Sequence, residues 1–371
     1  MKLSSLRFLG EPPPVILLTN EDVEPLIKMP ECIAAIEAAF ADLGKQDAVD
    51  IPRQDAIVPN ARPGAIHDLK TMSGSWPKAG IAAIRLNSDI VTGPVIDGKP
   101  RRVKLAVSPP GGRYNGAVLL FSTDTGQLLA MVNDGLMQRA RVGATSGVAA
   151  KYLAPQGAKR LGLLGTGFQA GAQLEAMCAV RDFVSVKVFS PTAENRKRFV
   201  EHYRKALDRD VRAVDSPDEA ASDVDVLVTA TNSISPTIKP EWLKPGMHLS
   251  SLNRTELVPA VFAKVDRLIV NAREGGKSFT ARNCANIGGF NQNDRNAHSG
   301  ISKVEDIPEL KDLLAGKVQG RKSESELTCF HNYQGLGLQF AAIGEIVYRE
   351  AVKHKIGLVL DDRYFTQDVH P

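Results

Sequence analysis

The chain lacks most of the features that settle a protein's class at a glance. Its 371 residues include four cysteines, Cys32, Cys178, Cys284 and Cys329, with no CxxC pair among them. That excludes a disulfide framework and a zinc ribbon. The seven histidines show no metal-ligand spacing, so no metal is expected. Widely separated, reduced thiols suit a cytoplasmic setting. No apolar run approaches the ~20 residues of a membrane span, and the opening stretch MKLSSLRFLGEPPPVILL lacks the apolar core of a signal peptide. Charge of one sign is also missing. The formal net charge is +4, and the positives are dispersed, with Arg101, Arg102 and Lys104 in one place and Arg196 to Arg198 in another. Neither nucleic acid nor a membrane is an expected partner. No repeat or low-complexity tract stands out.

What remains is an ordinary globular composition, 43% hydrophobic and 24% charged, long enough for two domains. Residues 21–44 read as helix in two segments, with Asn20 placed to cap the first and Pro30 in the first turn of the second. Within PECIAAIEAAFADLG, the residues Ile33, Ile36, Phe40 and Leu43 recur at helical spacing. From 51 to 135, short runs such as IAAIRL, AVLLFS and LLAMVN alternate with turn-rich pieces, the texture of an antiparallel sheet. LMQRARVGATSGVAAKYLA, at 136–154, reads as a helix whose small residues allow close packing. After Pro155 strands alternate with helices, which implies a parallel sheet. A last long helix lies near 334–353. The fold class is therefore α/β. A doubly wound Rossmann sheet at 151–325 stands beside an α+β substrate-binding and dimerisation domain at 1–150, completed by 326–371.

The most informative stretch is LGLLGTGFQAGAQLEAM, from Leu161 to Met177. Gly165 permits a tight turn, Gly167 lets the backbone approach phosphate, and Ala170 is small where helix packs on strand. The amides of Thr166, Phe168 and Gln169, near a helix start, would face a pyrophosphate. The turn follows a strand and opens a helix, the context that makes it a dinucleotide site. One residue is absent. An acid that would grip the ribose 2′-hydroxyl of NAD is expected ~20 positions on, and VFSPTAENRKR offers none. Ser190, Thr192 and Arg196 suit a 2′-phosphate instead, so NADP(H) is favoured and NAD(H) remains possible. The alternative for Arg196 is a solvated helix face. Ala230, Thr231 and Asn232 end a later strand on the ligand edge. Leu252 and Asn253 end the next one, which sets Asn253 near the nicotinamide.

These pieces, in this order, resemble the ornithine cyclodeaminase/μ-crystallin family, which also contains alanine dehydrogenases and ketimine reductases. The resemblance runs from VILLTNEDVEPLIKMPECIAAIEAAF through AVLLFSTDTGQLLAMV, RARVGATSGVAAKYLA and GTGFQA to RTEL at 254–257. It implies a homodimer, with substrate held between the first domain and the nucleotide fold. By resemblance, Arg141 grips the substrate carboxylate, a task suited to a guanidinium fork. Arg53 is a second substrate-facing arginine. The family's lysine aligns with Arg85, and Lys70 lies near enough to take over as proton carrier. The chain departs from the family after Asn253, where the Gly-Ala-Asp segment of the cyclodeaminases is shortened. An amide there cannot act as a general base near neutral pH.

The expected function is that of an NAD(P)-dependent oxidoreductase on a small amino or imino acid, with Arg141 and Arg53 fixing the carboxylate and Lys70 relaying a proton. Two alternatives stand beside it, an ornithine cyclodeaminase and a non-catalytic nucleotide-bound protein of μ-crystallin type. Ion pairing with Asp50, Asp55 or Asp89 is the structural alternative for Arg53 and Arg85. An ordinary surface position is the alternative for Lys70. Glu256 reads as an anchor for the following helix start, and His298 and His331 as incidental.

Overall fold

A computed structural model describes residues 14–96, 99–100, 103–107, 112, 114–233, 235–273, 275–285 and 304–369. Val15–Leu18 forms β1, and a one-turn helix follows at Asn20–Val23. Thr19, not Asn20, caps that helix, through a reciprocal pair of bonds with Asp22. Asn20 is diverted because its Oδ1 accepts from the Leu136 amide, 3.1 Å away, at the start of a distant helix. α1 spans Met29–Gly44 and buries Ile33, Ile36 and Phe40. The expected meander follows as β2 (Val49–Pro59), β3 (Ala65–Trp76), β4 (Ile81–Thr92), β5 (Asn115–Ser122) and β6 (Leu128–Asn133), and then α2 at Asp134–Leu153.

The rhythm then alternates as the sequence predicts. β7 (Arg160–Leu164), α3 (Phe168–Val180), β8 (Ser185–Phe189), α4 (Ala193–Leu207) and β9 (Val211–Ala213) lead to β10 (Val226–Thr229), β11 (His248–Ser251) and β12 (Arg267–Val270). β13 (Lys277–Thr280), β14 (Thr328–His331), α5 (Gly337–His354) and β15 (Leu358–Leu360) complete the chain. Seven strands make one parallel sheet in the order β9-β8-β7-β10-β11-β14-β12. The direction of winding reverses between β7 and β10, the switch point at which such folds bind ligands.

Two strands cross the division read from the sequence. β14 lies within the residues assigned to the first domain, yet it pairs with β11 and β12 in the parallel sheet. Its four residues, TCFH, are all buried and too few to show a period, so the segment carries no strand signal of its own. β13 goes the other way and pairs in parallel with β2. It joins a nine-stranded sheet ordered β13-β2-β3-β4-β5-β6-β1-β15, with Val103–Leu105 added on β4.

The larger sheet has two unlike faces. Met72 and Trp76 of β3, Ile81 and Ala83 of β4, and Val118 and Leu120 of β5 point into the core beneath α5. α5 meets β3 almost backbone to backbone. A Cβ on Gly74 would lie 2.3 Å from the Leu338 nitrogen, and one on Gly337 would meet the Ser73 backbone at 2.1 Å. The opposite face carries a row in register across five strands, Ile84, Leu119, Met131, Leu17 and Leu358, each half-buried or exposed. Among the described residues, no helix is long and apolar enough to cross a membrane.

Candidate active site

The glycine turn is built as the dinucleotide reading requires. Gly165 has φ +116°, and a Cβ there would come within 2.4 Å of the Ala230 carbonyl oxygen, so only glycine serves. Gly167 is the N-cap of α3, and a Cβ on it would meet nothing within 4 Å. Open space therefore lies over the amino end of a helix, the place where backbone amides and the helix dipole favour an anion. Ala170 is fully buried, while Phe168 is 57% exposed at the mouth of the turn. Thr166 and Gln169 flank these positions, half-buried. This cradle fits the pyrophosphate of a nicotinamide dinucleotide.

Ser190 follows directly on β8, where a ribose-binding acid would stand, and it is buried. Arg196 is less free than the sequence suggests. Its guanidinium donates to the Ser190 carbonyl at 2.5 Å and to Asp215 at 3.1 Å, and it lies over the Phe189 ring. Thr192 is the exposed N-cap of α4, without a side-chain capping bond.

On the same edge, Ala230, Thr231 and Asn232 follow β10, and Leu252 and Asn253 follow β11. One buried carboxylate ties these ends together. Glu256 Oε1 accepts from the Thr229 hydroxyl and from the amide and hydroxyl of Thr231, while Oε2 accepts from the amides of Leu252 and Asn253. Glu256 thus anchors two strand ends, not the next helix start. Asn253 is also committed, for its amide donates to the Ser233 carbonyl at 3.1 Å. Both fix the shape of the turn.

The four cations singled out from the sequence lie on one face of the larger sheet or on the helix above it. Strand register sets them in rows. Met72 of β3 pairs with Arg85 of β4, and a bulge in β2 between Ile51 and Gln54 sets Pro52 and Arg53 opposite that row. The bulge shifts the pleat by one residue, so Arg53 and Asp55 join the face that Asp50 already occupies. The next row is Asp55, Lys70 and Asn87, and the one after it is Ile57, Asp68 and Asp89. Arg141 descends from α2 beside Met72, since a Cβ on Gly335 would touch both the Met72 thioether and Arg141 Nη2.

Pairing differs sharply among these cations. Arg53 forms a two-pronged bond with Asp55, at 2.6 and 2.8 Å, as its ion-pair alternative anticipates. Arg85 pairs with Asp134, the first residue of α2, and not with Asp50, Asp55 or Asp89. Lys70 is buried, not superficial. It contacts Asp68 at 3.1 Å and hydrogen-bonds Asp89, which Lys104 also reaches from outside. Arg141 differs from the other three. Its hydrogen bonds go to the neutral amide oxygens of Gln138 and Gln339, and its guanidinium carbon lies 5.4 Å from the centre of the buried Phe340 ring.

Burial governs the proton affinities here. It pushes Lys70 down to about 8, despite the opposing pull of Asp68 and Asp89. Full burial, reinforced by the like charges of Arg85 and Arg53, pushes Arg141 down to about 9. It still carries its charge at neutral pH. Burial raises Asp50 to about 7, although the Leu338 and Gly337 amides hold its charged form.

α2 joins this face to the dinucleotide turn. Arg139, two residues before Arg141, donates to the Phe168 carbonyl and to Glu175 of α3. Gly143 packs against Ala172 of α3 so closely that a Cβ would meet its carbonyl oxygen at 2.6 Å. Several members of this arrangement escape a reading of the sequence. Gln138 is signalled by its i, i+3 spacing from Arg141. Gln339, Phe340 and Tyr333 carry no comparable signal. His331 is buried and bonded to Ser251 at 2.6 Å, while His298 lies outside the described residues.

A model of the ornithine cyclodeaminase/mu-crystallin family matches residues 106–355. The chain is 31% identical to an alanine dehydrogenase of Archaeoglobus fulgidus, over 92% of this chain and 97% of that one. It is similar in structure to the Delta(1)-pyrroline-2-carboxylate reductase of Thermococcus litoralis, solved with NADH and L-proline. The TM-score is 0.74 at 28% identity, covering 93% of this chain and 100% of that one. An archaeal alanine dehydrogenase dimer with bound NAD matches with a TM-score of 0.72 at 27% identity, covering 94% and 99%.

The site geometry makes one direct prediction. Nitrogen-15 NMR of the lysine Nζ groups, assigned with Lys70→Met, places the Lys70 midpoint near pH 8. A midpoint above about 10, the ordinary lysine range, contradicts the burial and network described here.

Proposed function

The chain belongs to the ornithine cyclodeaminase/mu-crystallin family, and on that premise we propose that it is an NAD(P)-dependent oxidoreductase interconverting a small 2-amino acid and its imine. The observation that carries this reading is Arg141, a buried guanidinium satisfied by neutral amides and set beside the helix of the dinucleotide turn. A planar substrate carboxylate supplies the hydrogen-bonded opposite charge that no described residue gives it. Arg53 and Arg85, each held by its own aspartate, add positive potential in the same row. Lys70 stands one pleat repeat further along β3, ~7 Å away, and holds a proton for the substrate nitrogen. A bound nicotinamide dinucleotide supplies or accepts the hydride, and Gly165 to Ala170 with the ends of β10 and β11 are the residues that would hold it. In the reductive direction Lys70 must be protonated, so that rate falls as pH rises through about 8, and the oxidative rate grows. The commitment of Glu256 and Asn253 to the turn supports this reading over cyclodeamination, which needs a free base after β11.

Of the two coenzymes we favour NADP(H). Ser190 offers no carboxylate to repel a 2′-phosphate, and the Asp215 that holds Arg196 is 98% exposed, so a phosphate displaces it at little cost. The domain division follows the sequence, with 1–150 and α5 forming the substrate-binding and dimerisation unit and 151–325 the dinucleotide unit, apart from the exchange of β13 and β14. A second copy of the chain covers the apolar row on the outer face of the larger sheet, which makes the protein a homodimer. Four free cysteines support a cytoplasmic setting.

Replacing Arg141 with Ala lowers kcat/KM for the amino acid on the order of 10²–10³-fold, the usual consequence of stripping one partner from a buried charge pair. Coenzyme affinity stays within about twofold, because Arg141 does not touch the turn. Unchanged turnover by this variant refutes the assignment. Wild-type protein uses NADPH with higher kcat/KM than NADH, and Ser190→Asp reverses the order; a wild-type preference for NADH contradicts the coenzyme reading. Analytical ultracentrifugation finds wild-type protein at twice its 40.0 kDa chain mass and Leu119→Lys at the chain mass. A monomeric wild type removes the dimer.

A further inference from the structure

Arg141 is held in part by a helix whose first turn has no cap of its own. α5 starts at Gly337, and its N-cap, Leu336, has no polar side chain to receive the first free amides. Asp50 of β2 takes that part from outside the helix. It stands opposite Gly74 in register. Gly74 has no side chain, so α5 can come down onto the sheet, where a Cβ would lie 2.3 Å from the Leu338 nitrogen. Asp50 Oδ1 accepts from the Leu338 amide at 2.9 Å, and the Gly337 amide is a second donor to the same carboxylate. An anion at the amino end of this 18-residue helix also meets the helix dipole favourably.

The turn that Asp50 holds carries Gln339. This side chain is fully buried and closes a ring with Arg141. Its Oε1 accepts from Arg141 Nη1 at 2.7 Å and from the Leu336 amide at 3.1 Å. Its Nε2 donates to the Thr145 hydroxyl at 2.7 Å, and that hydroxyl donates to the Arg141 carbonyl, also at 2.7 Å. The guanidinium and the main chain of Arg141 therefore both lead to one amide, placed by the third residue of α5. Gln138 holds the other edge of the guanidinium, through Nε and Nη2, from one turn back on α2 itself. Gln339 is thus the contact that fixes the fork relative to a different element. Capping from β2 also ties the start of α5 to the sheet that carries Arg53, Lys70 and Arg85.

We propose that Asp50 is a positioning residue for the carboxylate site, fixing the first turn of α5 so that Gln339 holds Arg141 in the orientation that receives the substrate. This rests on the reading of Arg141 as the carboxylate ligand, and it adds a residue that acts through Gln339 and not by contact with substrate. Without the Asp50 acceptor the first turn of α5 frays, Gln339 is released, and the guanidinium is held along one edge. Substrate binding suffers, while the coenzyme turn, built from other elements, does not.

Wild type is compared with Asp50→Ala, Asp50→Leu and Asp50→Asn. Asparagine keeps an acceptor oxygen in place and is a good cap, whereas leucine keeps the shape and offers no acceptor. The leucine variant fills the space of the aspartate, which keeps the question open should alanine disturb the strand. One readout is oxidation, with NADP+, of the small L-amino acid that wild type turns over fastest. The other is calorimetric binding of propionate to protein saturated with NADP+, which needs no turnover. Asp50→Ala and Asp50→Leu raise KM and the propionate Kd at least about fivefold, as expected for a lost cap. In both variants kcat and coenzyme affinity stay within about twofold of wild type. Asp50→Asn restores KM and Kd to within about twofold. In a Gln339→Ala background, Asp50→Ala changes KM by less than about a further twofold, because the amide it acts through is already gone. A merely structural contact lowers thermal stability without this split between KM and kcat. KM and Kd unchanged in the variants without an acceptor, or a full effect of Asp50→Ala in the absence of Gln339, overturns the proposal and leaves the oxidoreductase reading intact. Propionate binding that depends on Asp50, without oxidation of any amino acid, supports the proposal and counts against the oxidoreductase reading. Wild type that neither binds propionate nor oxidises an amino acid overturns both.

Discussion

A buried guanidinium that hydrogen-bonds to no carboxylate among the described residues sets the terms for the rest of this structure. Arg141 is 5% exposed, and among the described residues it hydrogen-bonds to the amide oxygens of Gln138 and Gln339. Taking such a charge out of water costs several kcal/mol, even after relaxation. An apolar residue at this place on α2 avoids that cost. The expense makes sense if the missing anion is delivered from outside. The flanking cations keep to their own aspartates and so leave the position for a ligand.

α2 is the element through which that demand reaches the nucleotide fold. Arg139 ties it to the first residue of α3, Gly143 and Gly147 let it lie against Ala172 and Ala176, and Asn332 after β14 donates to its Val142 carbonyl. A single helix therefore carries Arg141, the proposed carboxylate ligand, and sets the position of the glycine turn proposed to hold phosphate. α5 completes the arrangement from the far end of the chain, with Gln339 against Arg141 and its first amides on Asp50. The proposed substrate site and coenzyme cradle share rigid parts, which suits a reaction that depends on holding two reactants together.

Local patterns were legible and long-range partnerships were not. The GTGFQA turn, the alternation of strands and helices, and the small-residue helix bearing Arg141 all announce themselves through spacing of a few residues. Gln339 lies 198 positions from Arg141, and no local rule connects them. Arg53 reaches the site face only because a bulge moves the pleat by one residue, and strict alternation gives no sign of it. β14 is hidden because four buried residues show no period, and this displaced the domain boundary. In sequence Glu256 reads as an anchor for the next helix start and Asn253 as a neighbour of the nicotinamide, whereas Glu256 ties together the ends of β10 and β11 and the Asn253 side chain holds the Ser233 carbonyl. Arg196 looks like a phosphate ligand and proves to hold Ser190 and Asp215 as well.

In the proposed reaction, hydride passes between a coenzyme in the glycine cradle and the carbon beside a carboxylate held by Arg141. Isotope tracing tests it most directly. The protein is given NADPH carrying deuterium at the transferable C4 position, together with a small 2-oxo acid and ammonia, and the amino-acid product is analysed by mass spectrometry. The proposed transfer leaves one deuterium in each product molecule, bound at the α-carbon. Product that carries no label, or label retained entirely on the nicotinamide, contradicts it.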